Sequence, residues 1–117
     1  MKLPNADRAI VDIVKLRDYC LNPQHPYGRH KARVFRAALG FDQNRAEELR
    51  QVLQQIASTH EAQLGEKDDF GQRYVIDFAL TAAAGPVDVR SCWIIRNGEE
   101  VARLTSCFVL PKSQATT

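Results

Sequence analysis

Apolar side chains in the first half of the chain recur at the spacing of three and four residues that marks a helix. This spacing predicts three helices, over residues 13–21, 29–40 and 44–58. Gly40 is of a residue type that commonly follows a helix C-terminus, and Asn44 with Glu47 three residues on is typical of a capped N-terminus. The β-branched segment 8–12 is short enough to be a brief strand.

In the second half of the chain the spacing changes to an alternation of period two. Strands are predicted over residues 73–80, 87–96 and 101–110, with residues 61–69 as a weaker strand that pairs with the first. Residues 82–86 form a turn, and Asn97-Gly98 is a strong signal for a hairpin. Helices followed by an antiparallel meander make an α+β domain over residues 1–110. The polar residues 111–117 are expected to form a flexible tail.

The register of the last hairpin decides which side chains share a face of the sheet. A loop of two or four residues would place Ser91 and Ser106 together on one face. Arg90, Arg103 and Thr105 would then share the opposite face. A loop of three residues would break this sorting, because side chains in a strand alternate with a period of two.

The composition fits one soluble domain, with 44% apolar and 26% charged residues in a chain of 117. No apolar run approaches the ~18 residues that a membrane span needs, and residues 1–8 lack the pattern of a secretion signal, so we expect a cytoplasmic protein with no membrane contact. The three cysteines show no CxxC spacing, which predicts reduced and mostly buried thiols. We therefore expect neither a metal site nor a cofactor.

Positive charge is concentrated in the helical half of the chain. Residues 1–60 carry ten Lys and Arg against six Asp and Glu, whereas residues 61–117 carry six against eight. The segment from Arg29 to Arg36 contains four cations and no acid. A polyanion would therefore approach the protein from its helical side.

The segment that precedes these cations predicts a stiff turn. Pro23 and Pro26 fix φ and remove amide donors, and Gly28 gives the chain freedom to enter the helix. On the helix, Lys31 lies at the head of an apolar stripe. A second face of the same helix is basic and carries Arg29, Arg33 and Arg36.

The run Leu-Asn-Pro-x-His-Pro-x-Gly-x-x-Lys-Ala-x-x-Phe, residues 21–35, resembles the signature of a small, uncharacterised bacterial domain family. Further matches are Phe70-Gly71-x-x-Tyr74-Val75, Arg90-Ser91-x-Trp93 and Arg103-Leu104-x-Ser106. Members of this family occur alone and at the ends of large secreted toxins. The family resembles one branch of the barnase, EndoU, colicin and RelE ribonuclease toxins. In that group helices precede a small antiparallel sheet, and RNA is cleaved without a metal.

The resemblance implies an endoribonuclease toxin in which a ribose 2′-hydroxyl attacks the adjacent phosphate. Such a reaction needs proton transfer and cations near the phosphate. The candidate catalytic residues are His25 and His30 for proton transfer, Lys31, Arg90 and Arg103 for the phosphate, and Ser106 for its orientation. The candidate RNA-binding residues are Arg29, Arg33, Arg36, Tyr74 and Ser91. The implied partners are RNA, with tRNA as one candidate, and a small acidic antitoxin or immunity protein.

Each candidate also has a plain structural interpretation. Lys31 can cover the core with its stem while its ammonium stays in water. His25 can lock the turn by hydrogen bonds to the backbone, and His30 can be a surface residue. Arg90 and Arg103 can pair with Asp88 or Glu99, Ser91 and Ser106 can bond each other beneath the helices, and Tyr74 and Trp93 can belong to the core.

Two further hypotheses follow from these interpretations. The chain could be a non-catalytic module that binds RNA or a protein through its basic face. It could also be an immunity or antitoxin-like protein. The basic helical half argues mildly against this last hypothesis, because inhibitors of nucleases are usually acidic.

Overall fold

Three α-helices precede a four-stranded antiparallel sheet in the computed structural model of the protein, which describes residues 1–111. The helices are α1 (Ile13–Lys15), which continues into a π-helical turn (Leu16–Cys20), α2 (Arg29–Leu39) and α3 (Ala46–Thr59). Short 3₁₀ turns span Ala6–Arg8 and Gln43–Arg45. The strands are β1 (Gln63–Lys67), β2 (Gly71–Ala82), β3 (Gly85–Arg96) and β4 (Arg103–Val109), and they lie side by side in chain order.

The predicted α+β architecture, with helices before a meander, is confirmed. The weak strand predicted over residues 61–69 exists as β1 and pairs with β2. The predicted tail over 111–117 lies, apart from its first residue, outside the residues that the structure describes. Within residues 1–111, no helix combines the length and the apolar character that crossing a lipid bilayer requires.

Two local predictions were wrong. The brief strand over residues 8–12 reduces to one parallel bridge, in which the Ile10 amide donates to the Ala102 carbonyl over 2.8 Å. Asn44 does not cap α3, whose N-cap residue is Arg45 and has no side-chain capping bond. Asp42 caps the preceding 3₁₀ turn, where its side chain accepts from the Asn44 amide over 3.0 Å. This bond from a backbone amide to the Asp side chain two residues earlier is of the Asx type, and it starts the 3₁₀ turn that leads into α3.

The core lies between the helices and one face of the sheet, which we call the inner face. Its largest fully buried side chains include Phe35 from α2, Leu49 and Leu53 from α3, and Trp93 from β3. Each of these side chains contributes about 1.5–3 kcal/mol by leaving water. The opposite face, the outer face, is less covered and carries Arg73, Val75, Cys92 and Phe108 among its residues.

The predicted sorting of the last hairpin was wrong for the two serines. Ser91 pairs with Cys107 and Cys92 with Ser106, yet the next pair is Trp93 with Leu104. Thr105 is thus one extra residue in β4, a β-bulge. Because side chains alternate along a strand, this extra residue puts Ser106 on the outer face, whereas Ser91 is on the inner one. Arg90 and Arg103 do share a face, as predicted.

A second bulge lies at the other edge of the sheet, in β1. Leu64 pairs with Tyr74 and Lys67 with Gln72, so Gly65 and Glu66 both lie opposite Arg73. The two bulges therefore interrupt β1 and β4, the first and last strands of the sheet. Residues of both bulges line one groove on the outer face.

Helix α2 begins and ends where the sequence predicts. Arg29 is its first residue, and Gly40 follows its last residue with a φ of 73°, a left-handed conformation that favours glycine. Gly28 has an ordinary φ of −98°. A Cβ at this position would lie 2.9 Å from the Tyr19 carbonyl oxygen, so close contact, rather than backbone freedom, requires this glycine.

Candidate functional site

A groove of about 510 Å³ lies on the outer face of the sheet. Its polar lining comes from Lys31, Glu66, Arg73, Thr105 and Ser106, and its aromatic lining comes from Tyr19, Tyr74, Trp93 and Phe108. Three irregular elements meet here, namely the π-helical turn that carries Tyr19 and the bulges of β1 and β4. Such irregularities often occur at functional sites, because they redirect side chains that a regular element would point elsewhere.

Lys31, in the first turn of α2, is a cation that lines the groove. Its ammonium nitrogen lies 4.2 Å from the centroid of the Phe108 ring, in a cation–π contact. Lys31 is exposed and makes no ion pair with any carboxylate in residues 1–111. Its ammonium therefore retains all three donors for a ligand.

His25 holds the proline turn together. Its Nδ1 atom accepts hydrogen bonds from the backbone amides of Tyr27 over 3.0 Å and Gly28 over 3.1 Å. Its ring also packs edge-on against Tyr19, with the ring centroids 4.8 Å apart. Only Nε2 is left for proton transfer, and His25 reaches the groove only through Tyr19. His30 is exposed on α2 and does not line the groove.

The basic face of α2 is exposed, as predicted, but two of its arginines also donate hydrogen bonds to the proline turn that precedes the helix. Arg29 donates to the Pro26 carbonyl over 2.7 Å, and Arg33 donates to the Pro23 carbonyl over 3.2 Å. Arg36 lines a smaller cleft of about 210 Å³ between the turn and the segment that follows α2. None of these three arginines lines the groove.

Arg90 and Arg103 are each engaged by a carboxylate. Arg90 donates two hydrogen bonds of 2.9 Å to Asp77, and Arg103 donates two to Glu99, of 3.1 and 3.2 Å. The hydrogen bonding of Arg90 to the Asp77 carboxylate is also the main cause that raises the pKa of Arg90. Glu99 is one of the partners that the sequence suggested, whereas Arg90 takes Asp77 and not Asp88. Neither arginine lines the groove.

The remaining serine and tyrosine candidates divide between core and groove. Ser91 is fully buried; its hydroxyl donates to the Ile76 carbonyl over 2.8 Å and accepts from the Trp93 indole over 2.9 Å. Tyr74 is buried against the core at the floor of the groove. Ser106 is half-buried and lines the groove beside Lys31. Of the candidate catalytic residues, the structure thus brings Lys31 and Ser106 together.

Sequence reasoning missed several groove residues, namely Tyr19, Glu66, Arg73, Cys92, Thr105 and Phe108. The position of Arg73 could have been predicted from the sequence, because Arg73 alternates with the buried residues of β2 and so must lie on the outer face. Its guanidinium donates to Asp68 over 2.6 Å, and this bond is the largest cause of the lowered pKa of Asp68. Cys92 follows from the same alternation in β3, which puts it on the outer face with Arg90. The other four depend on the bulges and on packing between helix and sheet.

The thiols and acids of the described chain form no metal cluster. Cys20 and Cys107 are buried free thiols, and Cys92 is a half-buried one at the groove. Burial raises the pKa of Cys92, which keeps its thiol protonated and unsuited to nucleophilic attack. Within residues 1–111, no group of three or more His, Cys, Asp or Glu side chains is placed to hold a metal ion.

A family model described as "Domain of unknown function (DUF6883)" matches residues 2–111 of the chain. The match covers all the elements of the fold and all the residues of the groove. No curated protein and no solved structure matches the chain.

Proposed function

Because the chain belongs to this family of unknown function, we propose its activity from the groove itself: it is a metal-independent endoribonuclease of the toxin type. The observation that carries the proposal is the unpaired Lys31 ammonium, held over Phe108 in a groove that also contains Arg73 and Ser106. Two cations and a hydroxyl in one groove suit a phosphodiester. The resemblance of residues 21–35 to a family related to ribonuclease toxins supports RNA as the phosphodiester.

The proposed reaction is attack of a ribose 2′-oxygen on the adjacent phosphorus, with departure of the 5′-oxygen and formation of a cyclic phosphate. Negative charge increases on the non-bridging phosphate oxygens as the bond to the 2′-oxygen forms. Lys31 and Arg73 stabilise this charge, and Ser106 donates a hydrogen bond that orients the phosphate. Arg90 and Arg103 do not line the groove, and each donates two hydrogen bonds to one carboxylate, so neither is assigned to the phosphate. Arg73 donates to Asp68 from Nε only and keeps its terminal N–H groups for the phosphate.

The volume and the aromatic lining of the groove suit unpaired RNA. Its volume of about 510 Å³ is within the ~300–1,000 Å³ range of ligand-binding pockets. Tyr19 and Phe108 line it and offer ring faces or edges to a nucleobase. His25 contributes by holding the ring of Tyr19 and the turn that leads into α2, so its role in this proposal is positioning.

The test is cleavage of total RNA and purified tRNA in EDTA by the wild type and Lys31→Ala. We expect discrete fragments that end in a cyclic phosphate, and a rate about 10²-fold lower in Lys31→Ala, the typical effect of removing one donor to a developing oxyanion. Lys67→Ala is the matched control, because Lys67 is an exposed lysine of β1 that does not line the groove. It should cleave like the wild type.

A substrate with 2′-deoxyribose at the cleaved position should remain intact, because the attacking oxygen is missing. Intact RNA with folded wild-type protein would overturn the proposal. Equal cleavage by Lys31→Ala and the wild type would remove the groove from the reaction.

A second candidate is a non-catalytic module that binds RNA through the basic face of α2. The observation that favours it is the exposure of Arg29, Arg33 and Arg36 on a helix with no acidic residue. This candidate predicts binding that weakens steeply with salt and no cleavage. A triple substitution of these arginines by Gln would then abolish binding, while Lys31→Ala would leave it nearly unchanged.

As a toxin acting in the cytoplasm, the protein would need an inhibitor in the cell that makes it. Net positive charge on the helical half and the cations of the groove suit a small acidic antitoxin or immunity protein. Induced expression should arrest growth, and Lys31→Ala should relieve the arrest. Growth unaffected by soluble wild-type protein would contradict the toxin assignment.

A further inference from the structure

The proposed cleavage needs a group that removes the proton from the 2′-hydroxyl. Neither His25 nor His30 lines the groove, and Nδ1 of His25 is occupied by two backbone amides. Among the groove-lining residues that the structure describes, Glu66 alone carries a carboxylate. A carboxylate at this place needs no metal to accept a proton.

The bulge in β1 determines where Glu66 lies. Leu64 pairs with Tyr74 and Lys67 with Gln72, so two residues of β1 oppose the single residue Arg73. In a regular strand the alternation would send Glu66 to the inner face, with Leu64. Because the bulge adds one residue, Glu66 stays on the outer face instead. It lies there beside Arg73, and both residues line the groove.

The bulge is held by specific contacts rather than by chance irregularity. The Gln72 side-chain amide donates to the Gly65 carbonyl over 3.0 Å and to the Glu66 carbonyl over 3.3 Å. Gly65 lies so close to β2 that a Cβ there would be 3.2 Å from the Arg73 carbonyl oxygen. These contacts fix the backbone that carries Glu66.

The Glu66 carboxylate is also left without a partner. It makes no ion pair or hydrogen bond within residues 1–111, and Arg73, which lies opposite, donates from Nε to Asp68 over 2.6 Å instead. Asp68 is fixed in turn by the backbone amides of Phe70 and Gly71. The neighbouring arginine is thus held by one acid while a second acid stays free at the groove.

We infer that Glu66 is the general base of RNA cleavage, an inference that rests on the proposed function. The Glu66 carboxylate takes the proton of the 2′-hydroxyl while the 2′-oxygen forms its bond to phosphorus. The bond from phosphorus to the 5′-oxygen breaks, and that oxygen leaves with a proton from water, which the open groove admits. The products are a cyclic phosphate and a 5′-hydroxyl, and Glu66 returns its proton to solvent.

The test compares Glu66→Gln with Glu100→Gln under single-turnover conditions, with RNA affinity measured separately. Glu100 is an exposed acid outside the groove, so its variant removes the same charge without touching the site. We expect Glu66→Gln to cleave at least about 10²-fold more slowly, the lower end of the range for general acid–base catalysis. Its RNA affinity should be equal or higher, because a negative charge is removed. With a general base, the wild-type rate is expected to rise with pH, and this rise should disappear in Glu66→Gln and persist in Glu100→Gln.

Two outcomes separate the inference from the function that it rests on. If the wild type cleaves and Glu66→Gln cleaves at a similar rate with an unchanged pH profile, Glu66 is not the base while the ribonuclease assignment stands. If the wild type does not cleave, the proposed function itself fails. A slower Glu66→Gln that also binds RNA proportionately more weakly would indicate a binding role and overturn the inference.

Discussion

Ser91 and Ser106 illustrate how two identical side chains acquire opposite roles. Ser91 is fully buried, and its hydroxyl joins the Trp93 indole to the Ile76 carbonyl. Ser106 is half-buried and has no side-chain hydrogen bond within residues 1–111. The first hydroxyl satisfies buried polar groups of the core, whereas the second is free for a ligand.

The substitution Ser91→Ala should lower the free energy of unfolding by about 1–3 kcal/mol, because it leaves the buried indole N–H of Trp93 without an acceptor. Ser106→Ala should change stability by no more than about 0.5 kcal/mol, as for other surface substitutions. Urea unfolding of both variants measures the difference. RNA cleavage should show the reverse order, with Ser106→Ala the more affected at a temperature where both are folded. Equal stabilities would mean that the Ser91 hydroxyl does not satisfy the indole.

The irregular elements shape the groove more than the regular ones do. The bulge at Thr105 brings Ser106 to the outer face, and the bulge at Gly65 does the same for Glu66. The π-helical turn carries Tyr19, which packs against His25. Helix α2 then supplies Lys31 from the edge of the sheet. With Arg73 from β2 and Cys92 from β3, the turn, the helix and the two bulged strands build one site from six separate parts of the chain.

Deletion of Thr105 should test the bulge of β4 directly. Leu104 and Ser106 already lie on opposite faces, so the shortened strand can keep its inner residues inside. We expect a folded protein, destabilised by no more than about 3 kcal/mol. Its β4 would pair with β3 without a bulge and would no longer supply Thr105 to the groove, so RNA cleavage should slow.

Thr105→Ala is the control for that deletion. It retains the bulge and loses one methyl group and the hydroxyl, whose hydrogen bond to the Cys92 carbonyl is 3.2 Å long. Thermal melts and cleavage assays should show a small loss of stability, about 1 kcal/mol, with cleavage largely retained. Cleavage at the wild-type rate after the deletion would show that the bulge does not shape the site.

For the whole molecule, the buried thiols link stability to alkaline pH. Burial is the largest cause that raises the pKa of Cys20 to about 11, and burial also raises the pKa of Cys107 well above its ordinary value. In the unfolded chain both thiols ionise near their reference pKa of about 8.5. The native state therefore retains protons that the unfolded state has lost, and stability must fall as pH rises above that value.

Between pH 9 and 10 we expect the free energy of unfolding to fall by up to about 1.4 kcal/mol per pH unit for each buried thiol. Chemical denaturation at several pH values measures this slope. Cys20→Ala removes one of the two thiols, so its stability should fall less steeply over the same range even though its stability at pH 7 is lower. An identical slope in the variant would show that Cys20 ionises equally in both states.

The outline of the fold could be predicted from the sequence, because it depends on local patterns. Helical spacing located α2 and α3, period-two alternation located β2, β3 and β4, and Gly40 marked a helix end. The cations of α2 were visible for the same reason, since the residues of one helix face are set by its period. Lys31 and Ser106 were recognised as candidates, and both line the groove.

The tertiary structure alone decided which side chains meet. One extra residue in β4 separates Ser91 from Ser106, and one in β1 brings Glu66 to the groove, yet neither changes the composition or the periodicity enough to be read locally. Asp77 rather than Asp88 engages Arg90, because pairing depends on the neighbouring strand. The sequence by itself determined the elements and their order. The register between strands, and with it the chemistry of the groove, arises from contacts between residues far apart in the chain.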